Sequence, residues 1–310
     1  MNKRILVTIL TLILVVLLIV SCADKTKDTP TPKAYIPKEL TVQFVPSHHK
    51  DTLEEKIKPL ESLLSKQLGI PVKASVATNY TSTIEAMSSK EIDVGFLPPL
   101  AYVLAKDRGI ADILLQAQRY SIQEPSGKTT KDLVDYYRSM IVVKKNSDIK
   151  KLEDLKGKRV AFQGTTSAGG YIWPVAEMKK AGINIQTDIE QVTLNGHDTA
   201  VLAVLNDEVD AAAVFEDARN TVKEDIKDVF DKVVPIYFSK PIPNDTISVR
   251  SDMSPEWKTN INDAFINISK DPVGRKILND VYSHAGYIKS TDNKFDIVRE
   301  YKRLVENNTP

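Results

Sequence analysis

A single cysteine, Cys22, serves all 310 residues, so no disulfide can close within the chain. Histidine is nearly as scarce, with four copies. Two of them adjoin in Ser47-His48-His49, but no acidic partner stands at ligand spacing, so no metal site is expected. Neither sign of charge dominates, since 42 Lys and Arg face 41 Asp and Glu. No basic stripe alternates with aromatics, which argues against a nucleic-acid partner. The Walker spacing and the dinucleotide Gly-x-Gly-x-x-Gly pattern are both missing. No Ser/His/Asp or Cys/His order has the context that nucleophilic catalysis requires. Neither a cofactor nor enzymatic chemistry is therefore expected.

What the chain does carry begins with an address. Asn2-Lys3-Arg4 is basic, Ile5 to Val20 is apolar, and Ile19-Val20-Ser21-Cys22 closes the run. The apolar run has the length of a signal h-region and is short for a permanent membrane span. Ile-Val-Ser-Cys resembles the bacterial lipobox, which implies a signal peptide over 1–21, cleavage before Cys22 and lipid attachment to its thiol. Residues 22–38 are rich in Pro, Thr and Lys without apolar period, and read as a tether holding a globular body off a membrane. The expected location is the extracytoplasmic face of the cell membrane.

The centre of the chain is Gly157 to Trp173. Val160-Ala161-Phe162 reads as a buried strand, Gly164 to Gly170 as a turn, and Tyr171 to Lys180 as a helix. Unpaired amides at a helix N-terminus form an anion socket, to which Thr165, Thr166 and Ser167 add hydroxyls. The same residues also fit an ordinary N-cap.

Two passages echo each other. A helix opening at Tyr80 leads to Glu91-Ile92-Asp93 and an apolar strand, and a helix opening at His197 leads to Glu208-Val209-Asp210 and another. This spacing predicts two lobes of one α/β construction, and the length suffices for both. Pro59 inside an apolar helical stripe predicts a kink or restart. Ser139 to Val143 reads as a strand carrying the chain between lobes, and Pro241 to Arg250 as the return crossing. Tyr136, Tyr137 and Arg138 are placed over the cleft or in the hinge.

Leu152-x-Asp154-Leu155-x-Gly157-Lys158, Ile92 to Pro99, Gly196-His197-Asp198-x-Ala200 and Pro241-x-Pro243-Asn244-Asp245, together with the lipobox, resemble the substrate-binding lipoproteins of phosphonate, phosphite and phosphate ABC importers. The resemblance implies a periplasmic-binding-protein type II fold. One lobe is expected over 39–138 plus 246–310 and the other over 139–245, with two crossovers. It implies ligand contacts from Tyr80, from the turn Thr165, Thr166, Ser167, Ala168 and Gly169, from His197, and from Leu97 at a strand end. Glu216, Asp217 and Asp245 are implied to face the organic end of a ligand; the residues alone equally allow helix capping or turn closure. Where the family turn carries further hydroxyls, this chain has Ala168 and Gly169. The expected partners are a small phosphorus oxyanion, permease subunits and a membrane reached through Cys22, with the protein itself monomeric. Another small anion, or a sensor or scaffold role with a protein partner, remains as an alternative.

Overall fold

The computed structural model describes residues 34–46, 50–124 and 126–306, the side chains of 50–52 excepted. The expected leader, Cys22 and the tether to residue 33 lie outside the described residues, as do Ser47, His48 and His49. Among the described residues no helix is long and apolar enough to cross a membrane. The described residues from Ile36 onward form one compact unit.

Strand β1 (Leu40–Phe44) alternates buried and half-buried residues, turning Leu40, Val42 and Phe44 inward. Helix α1 (Lys50–Leu68) follows, then β2 (Val72–Val76), α2 (Tyr80–Ser88), β3 (Val94–Leu97), α3 (Pro99–Asp107) and the long β4 (Ala111–Gln123), which turns back as β5 (Lys128–Val134). Of the kink or restart predicted at Pro59, the restart does not occur. Helix α1 runs through the proline, and the fully buried Leu53, Leu60 and Leu64 that flank it show how tertiary burial offsets one lost backbone bond.

The short β6 (Tyr136–Tyr137) leads into β7 (Ser139–Lys144), β8 (Arg159–Phe162), α4 (Trp173–Lys180), β9 (Glu190–Thr193), α5 (His197–Leu205), β10 (Ala211–Phe215), α6 (Val229–Lys232) and β11 (Val233–Phe238). Then come β12 (Ile242–Pro243), β13 (Thr246–Arg250), α7 (Pro255–Lys270), α8 (Pro272–Tyr282), β14 (Gly286–Lys289) and α9 (Asp296–Glu306).

Two main sheets result. The first has the order β14-β4-β13-β3-β1-β2, with β5 paired on β4; the second has the order β11-β7-β10-β8-β9. Ala211-Ala-Ala-Val-Phe215 is buried throughout because it is central, parallel to β8 and antiparallel to β7. The crossing differs from expectation. Ser139 to Val143 lies inside the second sheet, and the chain passes between the sheets at β6 and β12, which pair Tyr137 with Ile242 and Tyr136 with Pro243. Two-residue strands fit that place, since a hinge needs only a few torsions.

The echo has a shared physical basis. Asp93 accepts from the Thr41 amide at 3.0 Å, and Asp210 accepts from the Arg159 amide at 2.7 Å. In each half the carboxylate before a strand caps the start of its parallel neighbour, β1 beside β3 and β8 beside β10.

Helix α9 packs on both α3 and α4. Tyr301 stacks on Trp173 with centroids 4.2 Å apart, and its hydroxyl donates to Glu177 at 2.6 Å. On the other side, Arg299 pairs with Asp107 at 2.9 Å. The final helix thus ties α3 of the first half to α4 of the second, and it also touches the crossing strand β12.

Candidate functional site

The turn after β8 is closed by the Ser167 amide on the Gly164 carbonyl at 2.8 Å. The amides of both Tyr171 and Ile172 then reach back to the Ser167 carbonyl at 3.0 Å, which widens the first turn over Ala168–Ile172 before α4 begins. Glycine is required at 170, where a Cβ would lie 2.2 Å from the Gln163 side chain. The Ser167 hydroxyl accepts from the Gly170 amide at 3.2 Å.

Across from this turn, α2 opens at Tyr80, fixed by a capping box in which Asn79 accepts from the amides of Thr81 and Ser82. Tyr80, Ser167, His197 and Asp245 meet around a cavity of about 40 Å³, together with Pro98, Arg119, Tyr137, Phe215 and Tyr282. His197 Nδ1 accepts from the Phe215 amide at 3.3 Å, so in the neutral ring the proton sits on Nε2. The phenols of Tyr80 and Tyr137 are pushed well up, first by burial and then by the charge of Asp245, so both remain protonated donors.

Arg119 is a cavity-lining residue that the sequence did not reveal. It extends from β4 and is 5% exposed. Burial alone would make its guanidinium easier to deprotonate, but Asp217 and Asp245 outweigh that. Nη1 donates to Asp217 at 2.9 Å, while Nε has no hydrogen-bond partner among the described residues. A cation midway along an otherwise half-buried strand was the available signal.

The acidic residues divide. Glu216 is held by Arg138 at 2.8 Å and is not on the cavity wall. Burial, then the charge of Asp217, raises its pKa. Asp217 stands before a short helical turn without capping it, and compensates Arg119 instead. Only Asp245 lines the cavity, with His284 Nε2 at 3.6 Å behind it. Burial lowers the pKa of His284 despite Asp245, so that ring is neutral at ordinary pH.

Other expected contacts fall elsewhere. Leu97 is fully buried in the core, its carbonyl accepting from Thr246, and the next residue, Pro98, reaches the cavity instead. Thr165 and Thr166 project outward from the closed turn into a separate groove of about 800 Å³ beside Tyr171 and Lys179. Ala168 packs into the core, and Gly169 backs the wall through Tyr137. Among the described residues no group of three His, Cys, Asp or Glu side chains is placed to hold a metal.

Residues 42–295 match the family described as ABC transporter, phosphonate, periplasmic substrate-binding protein. The chain belongs to that family. It is 27% identical over 212 residues, 65% of its length, to the phosphate-import protein PhnD of Mycolicibacterium smegmatis. It is 26% identical over 245 residues, 78% of its length, to the phosphonates-binding periplasmic protein of Escherichia coli. The matches span 63% and 69% of those two relatives' own lengths. The fold resembles that of PhnD1 from Prochlorococcus marinus in complex with methylphosphonate, with a TM-score of 0.74 at 20% identity over 87% of this chain and 99% of that one. The two-lobed architecture expected of a periplasmic binding protein is thereby shown.

Proposed function

We propose that this protein captures a small phosphorus oxyanion between its lobes, in the cavity of Tyr80, Ser167, His197 and Arg119, and delivers it to an ABC permease. The observation that carries the reading is a buried guanidinium whose Nε lacks a hydrogen-bond partner among the described residues, beside the phenols of Tyr80 and Tyr137, a serine hydroxyl and an imidazole in a cavity of about 40 Å³. Donors in such a desolvated space are worth more than in water, and their directions select a tetrahedral guest. Asp245 adds a condition: a carboxylate facing an oxyanion is tolerated when the guest brings a proton to share, so a singly protonated oxyanion suits the site better than a fully ionised one.

No bond is made or broken in this role. The proposed lobes are 39–138 plus 246–310, and 139–245, closing through torsions near β6 and β12 so that the closed form is what the permease meets. The lipobox resemblance of Ile19 to Cys22 supports a lipid anchor on an extracytoplasmic membrane face, with the tether giving the lobes reach. We further infer that the protein acts as a monomer. The names of the relatives, one for phosphate import and one for phosphonate binding, point to the same ligand class.

Titration calorimetry tests this with inorganic phosphate, phosphite and methylphosphonate against sulfate and acetate. One-to-one binding of at least one phosphorus oxyanion in preference to both controls is expected. Preference for acetate or sulfate, or no heat from any anion, would overturn it.

A further inference from the structure

We infer that Tyr137, admitted by Gly169, is the specificity-determining residue that limits the guest to an oxyanion with no substituent larger than a methyl group. The inference rests on the oxyanion reading above and narrows its ligand.

The tyrosine comes from the crossing strand β6, where its backbone pairs with Ile242, and its side chain is 6% exposed. Its ring lies against Gly169 so closely that a Cβ at 169 would stand 2.8 Å from ring Cε2 and 3.6 Å from the hydroxyl oxygen. Any larger residue at 169 would push the ring aside. Two contacts hold the pair in place. The Ser139 hydroxyl donates to the Gly169 carbonyl at 2.6 Å, and the Arg119 guanidinium lies 4.9 Å from the Tyr137 ring centroid. A side chain fixed by its backbone pairing, a glycine face and a cation is a rigid wall rather than a yielding one.

The size of the space agrees. One water-sized centre needs about 10–15 Å³, so about 40 Å³ leaves room for on the order of three such centres. A tetrahedral PO₃ group with a hydrogen, an oxygen or a methyl as its fourth arm fits that volume. A chain of two or three carbons needs the space that the Tyr137 ring fills. Since Tyr137 also sits on the crossing strand, an overlong guest would oppose the torsions that bring the lobes together.

The test is an affinity series of phosphite, methylphosphonate, ethylphosphonate and propylphosphonate, measured by calorimetry on the wild type, Tyr137→Ala and Tyr137→Leu. Uncharged alkyl arms keep Asp245 out of the comparison. The wild type should weaken by roughly tenfold or more from methyl to propyl. In both variants that gap should shrink to within about threefold, because the vacated ring volume takes up the chain. Tyr137→Leu keeps an apolar side chain at the crossing and serves if the alanine variant fails to fold. Equal wild-type affinity for methyl and propyl arms, or an unchanged gap in a folded variant, would overturn the size rule alone. Silence of the wild type toward the whole series, inorganic phosphate included, would overturn the oxyanion reading and the size rule with it.

Discussion

Arg119 and Asp217 meet across 98 residues of sequence, Nη1 to Oδ1 at 2.9 Å, with both side chains buried. The arginine extends from the first sheet and the aspartate follows the central strand of the second, so the ion pair spans the cleft beside the cavity. Removing one partner leaves an uncompensated buried charge. Arg119→Met should therefore cost about 3–5 kcal/mol in urea denaturation, and the added change Asp217→Asn should recover a substantial part of it. An Arg119→Met variant as stable as the wild type would show that the pair carries no such strain.

Tyr80 is a donor that burial keeps protonated. Tyr80→Phe preserves the ring and the helix start while removing one hydrogen bond to a charged guest. Binding of the preferred oxyanion should weaken by roughly 10- to 100-fold, or about 1.5–3 kcal/mol, with stability nearly unchanged. Because the Tyr80 and Tyr137 phenols are raised, wild-type affinity should show no loss from the ionisation of either between pH 7 and pH 10. Calorimetry across that range checks both statements.

Asp252 titrates low, at about 2, chiefly through its hydrogen bond from Arg250, with Lys90 assisting against partial burial. A carboxylate depressed in the folded state binds its proton more tightly when unfolded. Its stabilisation is thus fully present above the unfolded pKa near 3.9 and is lost as pH falls through the folded value near 2. Asp252→Asn should flatten the fall in melting temperature between pH 4 and pH 2. An unaltered slope would contradict this.

The α9 tie makes a graded prediction. Burial would raise the pKa of Glu177, but hydrogen bonds from Tyr301, Tyr237 and Lys180 outweigh it and lower it. Tyr301→Phe leaves two of these three partners and keeps the stack on Trp173, so it should cost about 1 kcal/mol. Tyr301→Ala removes a fully buried ring as well and should cost about 3–5 kcal/mol. Chemical denaturation of the two variants checks the order.

Much of this design was readable before the fold was known, for physical reasons that particular residues make plain. The turn from Val160 to Lys180 is local chemistry, and so are the helix starts at Tyr80 and His197; the structure brings Ser167, Tyr80 and His197 to one cavity. The acidic turns at Asp93 and Asp210 were visible as a spacing, and their common role as caps explains it. Side-chain direction was not readable. Thr165 and Thr166 precede Ser167 by two and one residues, yet the bond closing Gly164 to Ser167 turns them to another groove. The partners of Glu216 and Asp217 were also hidden, because Arg138 and Arg119 reach them across 78 and 98 residues. Leu97 was expected at the cavity and sits in the core, since the wall at that strand end is made by Pro98.

The most direct measurement is a crystal structure grown with methylphosphonate. One guest per chain is expected, its oxygens within hydrogen-bonding distance of Tyr80, Ser167 and Arg119, and its methyl against Tyr137. Density for the guest in the groove beside Thr165 and Lys179, with the Arg119 cavity holding only water, would contradict it.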